Sequence, residues 1–194
     1  MVSIILGITG ASGVIYGVRL LEVLKDLRIE SHLIVTKAAE KVLAQETEYS
    51  PDYIKSLATY VYDVQEIDAP VASGSFKTEG MAIVPCSMKT LAAISCGYSS
   101  NLLLRAADVC LKEKRKLVLV PREAPLNTIH LENMLKLSRL GVCILPASPP
   151  FYNKPKTLDD IVNHIVGRVL DMFDVHHNLY RSWGTEGKIR HKEV

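Results

Sequence analysis

Lys116-Leu-Val-Leu-Val-Pro-Arg-Glu-Ala-Pro-Leu-Asn127 is the stretch on which the fold turns. Leu117–Val120 is an apolar run without polar alternation, which predicts a strand buried on both faces. From Asn127 to Leu140 apolar residues recur at helical spacing, so an amphipathic helix follows. A buried strand feeding a helix through a short turn is the repeating unit of a parallel sheet. The turn itself holds Pro121 and Pro125, which stiffen the backbone and remove two N–H donors. Between them stand Arg122 and Glu123. In open α/β sheets, ligands bind at the carboxyl ends of the strands. A rigid turn carrying a cation and a carboxylate there suits an anionic ligand whose chemistry also moves a proton. A surface ion pair between neighbours fits the same two residues.

The same alternation extends in both directions. Strand-like runs fall at Val2–Ile8, Ser31–Val35, Met81–Val84, Leu117–Val120 and Val142–Leu145. Helical periodicity marks Val14–Leu27, Lys37–Gln45, Pro51–Ala58, Ser87–Ser95, Asn101–Lys114, Thr128–Leu140 and Leu158–Phe173. This order predicts an α/β protein: a doubly wound parallel sheet in a single domain. Tyr60–Lys77 is the least regular stretch and ends in the loop-like Ser73-Gly-Ser-Phe-Lys77. The domain is expected to span 1–175, with 176–194 a polar tail that carries Trp183.

The totals narrow the function. A chain of 194 residues that is 48% hydrophobic and 23% charged can bury an ordinary core. Its net charge of +2 is too weak to imply nucleic acid. Cys86, Cys96, Cys110 and Cys143 are scattered without C-x-x-C spacing, so buried free thiols are expected rather than disulfides or a metal site. Met1-Val-Ser-Ile-Ile-Leu6 lacks a basic lead and reads as a first strand. No run approaches the roughly 20 apolar residues of a membrane span. A cytoplasmic protein without metal or membrane is expected.

Three strand ends carry ligand-type chemistry. Gly7-Ile-Thr-Gly-Ala-Ser-Gly13 lets backbone approach a ligand, and the helix beyond offers its N-terminus to an anion. The dinucleotide spacing is not met, because Thr9 stands where the middle glycine belongs. Short-chain dehydrogenase spacing fails at Val14 and Tyr16, and Pro155 breaks the Tyr152/Lys156 pair. Pro85-Cys-Ser-Met-Lys-Thr90 and Val35-Thr36-Lys37 place hydroxyls at two more strand ends, where helix capping and phosphate binding both fit. Together the three suggest a nucleotide or flavin.

Further along, Arg105, Asp108 and Lys112 share one helix face. On spacing alone they read as a solvated ladder of ion pairs worth tenths of a kcal/mol. Arg168 interrupts the stripe Ile161, Ile165, Met172. It can snorkel, pair with an acid or grip a phosphate. Pro146–Pro155 is expected to bring Tyr152 near the strand ends.

These segments together resemble the UbiX-type flavin prenyltransferases. The resemblance rests on Thr9-Gly-Ala-Ser-Gly13, Glu46-Thr-Glu48, Ser73-Gly-Ser-Phe76, Pro85–Thr90, Arg105-Ala-Ala-Asp108 with Leu111-Lys-Glu113, Pro121–Pro125, His130-Leu-Glu-Asn-Met-Leu135 and Phe151-Tyr-Asn-Lys-Pro155. It runs from Gly7 to Trp183. It implies a flavodoxin-like Rossmann sheet, a homododecamer with sites at subunit interfaces, and no metal. It implies that reduced FMN receives a dimethylallyl group from dimethylallyl phosphate at N5 and C6. The prenylated FMN then serves a UbiD-type decarboxylase. On the same basis Gly10, Ala11, Ser12, Thr36, Ser87, Met88, Lys89, Thr90 and Arg122 contact FMN. Arg105, Lys112, Tyr152 and Arg168 hold the prenyl phosphate. Glu46, Glu123, Ser12 and Trp183 form the reaction centre.

The residue types agree with that chemistry. Fixed cations stabilise the charge of a departing phosphate, and Trp183 can shield an allyl cation. Glu123 and Glu46 suit proton transfer. Ser12 positions groups, since no triad accompanies it. Two rival readings keep FMN: an accessory subunit of an aromatic-acid decarboxylase, and an oxidative cysteine-type decarboxylase. The latter needs a catalytic His and an asparagine-rich loop where this chain has Pro149-Pro-Phe-Tyr-Asn153.

Overall fold

The computed structural model describes residues 2–181. Six strands form one sheet: β1 (Ser3–Ile8), β2 (Glu30–Val35), β3 (Tyr60–Tyr62), β4 (Gly80–Cys86), β5 (Lys116–Pro121) and β6 (Cys143–Ile144). Their order is β3-β2-β1-β4-β5-β6, and every pairing is parallel. The chain winds outward from β1 through β2 to β3, then returns to β4 and winds the other way. The crevice between the ends of β1 and β4 is therefore the point where strand order reverses, the usual ligand position in such sheets.

Among the described residues there are seven α-helices, six between strands and α7 after β6: α1 (Val14–Asp26), α2 (Lys37–Glu46), α3 (Pro51–Leu57), α4 (Met88–Ser95), α5 (Leu102–Lys112), α6 (Thr128–Arg139) and α7 (Leu158–Met172). Successive strand residues point to opposite faces. Ile4, Leu6, Ile8, Ala82, Val84, Val118 and Val120 join α1, α2, α3 and α7 in one core. Ile5, Met81, Ile83, Leu117 and Leu119 join α4, α5 and α6 in the other. Burial on both faces is why these strands lack polar alternation.

Every expected helix is present, to within a residue or two at its ends. β3 is the element that periodicity missed. It is three residues long, and Tyr60 and Val61 are exposed at the sheet edge. With no core face to pattern, such a strand leaves no alternation to read. Arg168 also departs from expectation. The buried stripe of α7 is Val162, Ile165, Val166, Val169 and Leu170, so Arg168 lies outside it and is exposed. Cys86 and Cys110 are buried, Cys143 is half-buried and Cys96 is exposed. Burial pushes the Cys110 thiol up to about 11, with the charge of Arg115 acting against it.

α1 lies close against β4 because Gly17 has no side chain. A Cβ there would sit 2.4 Å from the Val84 carbonyl oxygen. Gly17→Ala is expected to cost about 2 kcal/mol through overpacking. For a chain of this size that lowers Tm by roughly 4–8 °C, measurable by thermal unfolding. An unchanged Tm would refute the close-contact argument.

Candidate active site

The turn Gly10-Ala-Ser-Gly13 follows β1 at the reversal point. Gly13 takes φ +96, which favours glycine. A Cβ on Gly10 would lie 2.5 Å from that of Ala38 in α2, so the turn can lie this close to α2 only with glycine there. Thr9, 1% exposed, ties the turn to the neighbouring strand end. Its hydroxyl donates to the Pro85 carbonyl at 2.8 Å and accepts from the Ser87 amide at 2.8 Å. Ser87 in turn caps α4, accepting from the Thr90 amide and donating to the Thr90 hydroxyl at 3.0 Å. Thr36 caps α2 by accepting from Ala39 N at 3.2 Å.

Three helix N-termini thus meet one sheet edge. One of them is already occupied. The Glu46 carboxylate, at the far end of α2, accepts from Gly13 N at 2.8 Å and Val14 N at 3.3 Å. The expectation that α1 offers a free N-terminus to an anion is therefore corrected: a side chain of the same chain fills it. First-turn amides without an intrahelical acceptor remain at Met88 and Lys89 of α4 and at Lys37 and Ala38 of α2. These donors, the Ser12 turn and the close-packed Gly10 fit a flavin phosphate and ring edge.

Arg122 and Glu123 follow β5, next to β4, on the same edge. Both are exposed. One Glu123 oxygen accepts from Ala124 N at 3.1 Å, which folds the side chain back on its own turn. Among the described residues Arg122 and Lys89 make no ion pair. The fold therefore gathers Gly10, Ala11, Ser12, Thr36, Glu46, Ser87, Met88, Lys89, Thr90, Arg122 and Glu123 along contiguous strand ends. Ala11 and Thr90 are the most enclosed of these, each at 8% exposure.

The four residues expected at the prenyl phosphate are not gathered in one chain. Arg105 and Lys112 project from α5, packed on one face of the sheet; Arg168 belongs to α7 on the other. Both helices run back toward the amino edge, α5 ending just before β5 begins. α7 finishes at the amino edge of the sheet, where Asp174 pairs with Lys116 at the start of β5. Arg168 is ten residues beyond Leu158, about 15 Å along the helix. Tyr152 packs edge-on to the His164 ring of α7 at 6.0 Å. The α5 ladder is corrected: Arg105 pairs with Asp108 at 3.0 Å, but Lys112 pairs with Glu113 at 3.4 Å. Trp183 lies outside the described residues.

Sequence reading missed Thr9 as a structural link, although it sat inside the quoted turn. A hydroxyl between two strand ends was the available signal. Thr9→Val removes two buried hydrogen bonds at constant shape. The expected loss is about 2–4 kcal/mol, read as a lower Tm with weakened flavin binding. Wild-type values for both would remove Thr9 from the site. Among the described residues, no group of three His, Cys, Asp or Glu side chains could hold a metal, and no helix is long and apolar enough to cross a membrane.

Known proteins with this sequence and geometry fall in one group. The Flavoprotein family model matches residues 1–170. Flavin prenyltransferase UbiX of Methanocaldococcus jannaschii is 54% identical over 182 residues, covering 94% of this chain and 98% of that protein. The dodecameric FMN-dependent UbiX-like decarboxylase of Escherichia coli O157:H7 superposes with TM-score 0.92 at 52% identity, covering 93% and 98% of the two chains. AnUbiX (PadA1), solved with FMN and dimethylallyl pyrophosphate, gives TM-score 0.92 at 46% identity, covering 94% and 97%. With the β1/β4 crevice built as described and identity at this level over nearly the whole chain, this protein belongs to the UbiX-type flavin prenyltransferase family.

Proposed function

We propose that this chain joins the dimethylallyl group of dimethylallyl phosphate to N5 and C6 of reduced FMN, releasing phosphate. The observation that carries this reading is the reversal-point crevice. There the Gly10–Ser12 turn, the first turns of α2 and α4, and Arg122 share one edge, stapled by Thr9. Gly10, Ala11, Ser12, Thr36, Ser87, Met88, Lys89, Thr90 and Arg122 hold the flavin. Backbone amides at α2 and α4 take its phosphate.

Arg105, Lys112, Tyr152 and Arg168 grip the prenyl phosphate and offset the charge that grows as the C–O bond breaks. Their placement on opposite faces supports a site shared between subunits, and a homododecamer satisfies that need. Glu123 and Glu46 take up and relay the protons displaced from the flavin, Ser12 positions the ring edge, and Trp183 shields the allyl group from water. The prenylated flavin passes to a UbiD-type decarboxylase.

The test is anaerobic incubation of purified protein with reduced FMN and dimethylallyl phosphate, and separately with the pyrophosphate, followed by mass spectrometry of the released flavin. A flavin heavier by one prenyl unit is expected. Unchanged FMN in a protein that binds it would overturn the reading.

A further inference from the structure

The structure assigns Tyr180 as a positioning residue for the prenyl-phosphate grip, acting through Arg168 and, by way of His164, on Tyr152. This rests on the proposed role of Arg168 and Tyr152. Asp171 and Tyr180 contact the guanidinium, and His177 holds Asp171 from the other side. Arg168 Nη1 donates to Asp171 Oδ2 at 2.9 Å and reaches the Tyr180 hydroxyl at 3.4 Å. The Tyr180 hydroxyl donates to that same Asp171 oxygen. The other oxygen, Asp171 Oδ1, contacts His177 Nε2 at 3.0 Å. His177 Nδ1 accepts from the Leu179 amide at 3.2 Å, so Nε2 carries the ring proton and donates to Asp171. Burial works to raise the Asp171 carboxyl, yet the bonds from Tyr180 and His177 and the Arg168 charge bring it below the usual carboxylate value.

This arrangement orients Arg168 as well as anchoring the chain. A guanidinium has five donors. Asp171 and Tyr180 engage only Nη1, and among the described residues Nε and Nη2 make no hydrogen bond. One edge of the fork is fixed, and the other faces solvent on a side chain 46% exposed. A fork held at one edge is prepared to receive a phosphate at the other.

The Tyr180 ring does a second job. It lies 4.2 Å from the His164 ring, and His164 meets the Tyr152 ring edge-on at 6.0 Å. His164 is 4% exposed, and its buried Nδ1 has no hydrogen-bond partner among the described residues. Gly167 permits the contact, since a Cβ there would come within 2.6 Å of Tyr180. One residue therefore touches the supports of both proposed phosphate ligands from α7 and its preceding loop.

The experiment compares Tyr180→Phe with wild type in prenyl transfer, with FMN affinity and Tm measured alongside. Phe keeps the ring against His164 and Gly167 and removes only the hydroxyl. KM for dimethylallyl phosphate is expected to rise about tenfold, with kcat, FMN affinity and Tm near wild type. Asp171→Asn should move KM in the same direction.

In an Arg168→Ala background the Tyr180 change should add almost nothing, because it acts through the missing guanidinium. Unchanged KM in Tyr180→Phe, or an undiminished effect in the Arg168→Ala background, overturns the assignment. Calorimetric binding of inorganic phosphate, weaker in Tyr180→Phe and Asp171→Asn, reads the same geometry without turnover; equal binding in all three proteins also overturns it. A wild type that binds phosphate but makes no prenylated flavin would instead remove the proposed function and leave the positioning result standing.

Discussion

Glu123→Gln is expected to bind FMN as the wild type does and to lose a hundred- to ten-thousand-fold in kcat, roughly the contribution of a positioned acid or base. The turn should survive the change. Glu123 accepts from the Ala124 amide at 3.1 Å through one oxygen, and the Gln carbonyl oxygen can accept the same bond. The proposed flavin contacts are the β1 turn, the first turns of α2 and α4, and Arg122, none of which the change removes, so affinity should be untouched. What disappears is an oxygen able to take a proton, at a strand end beside Arg122. Anaerobic single-turnover formation of prenylated flavin measures the loss, and fluorescence quenching measures FMN binding. A kcat within a few-fold of wild type would remove Glu123 from proton transfer. Lost FMN affinity would instead make it a binding residue.

Arg168→Ala should act at the other end of the reaction. Removing one charged donor from a phosphate is expected to cost about 1.5–3 kcal/mol, a fall of roughly tenfold to a hundred-and-fifty-fold in kcat/KM carried mainly by KM for dimethylallyl phosphate. The fold makes a sharper form of this prediction. Arg168 is about 15 Å along α7, running away from the strand ends that carry the same chain's Glu123. If the two meet at one site, they come from different subunits. Co-expressed Arg168→Ala and Glu123→Gln chains should then form mixed assemblies more active than either variant alone, because some interfaces pair an intact Glu123 with an intact Arg168. Mixed assemblies no more active than the variants would place both residues in a single chain's site.

Much of this molecule was legible before any coordinates. The buried strands announced themselves by unbroken apolar runs, and the helices by their 3.6-residue period and their caps. Asn127 at α6 and Thr157 at α7 both form capping boxes. The strand-end residues of the proposed flavin edge could be placed from the sequence as well. In a parallel sheet, a residue just after a strand lies at one known edge whatever the neighbours are.

Other features needed the folded chain. β3 is exposed and three residues long, so no core pattern marks it. Glu46 reaches the α1 N-terminus across 33 positions of sequence, and Thr9 reaches Ser87 across 78. Arg105 and Arg168 share a chemical type, yet they project from opposite sides of the sheet. Arg168 stood out in the sequence, but its partners Asp171 and Tyr180 did not, Tyr180 falling in what read as a polar tail. Periodicity, propensity and capping are properties of adjacent residues, so the sequence by itself determined the core strands and the helices, their order and the edge at which a ligand is proposed to bind. Which side chain meets which across the sheet depends on strand order and on the close packing that Gly10, Gly17 and Gly167 permit, and that was settled only by the tertiary structure.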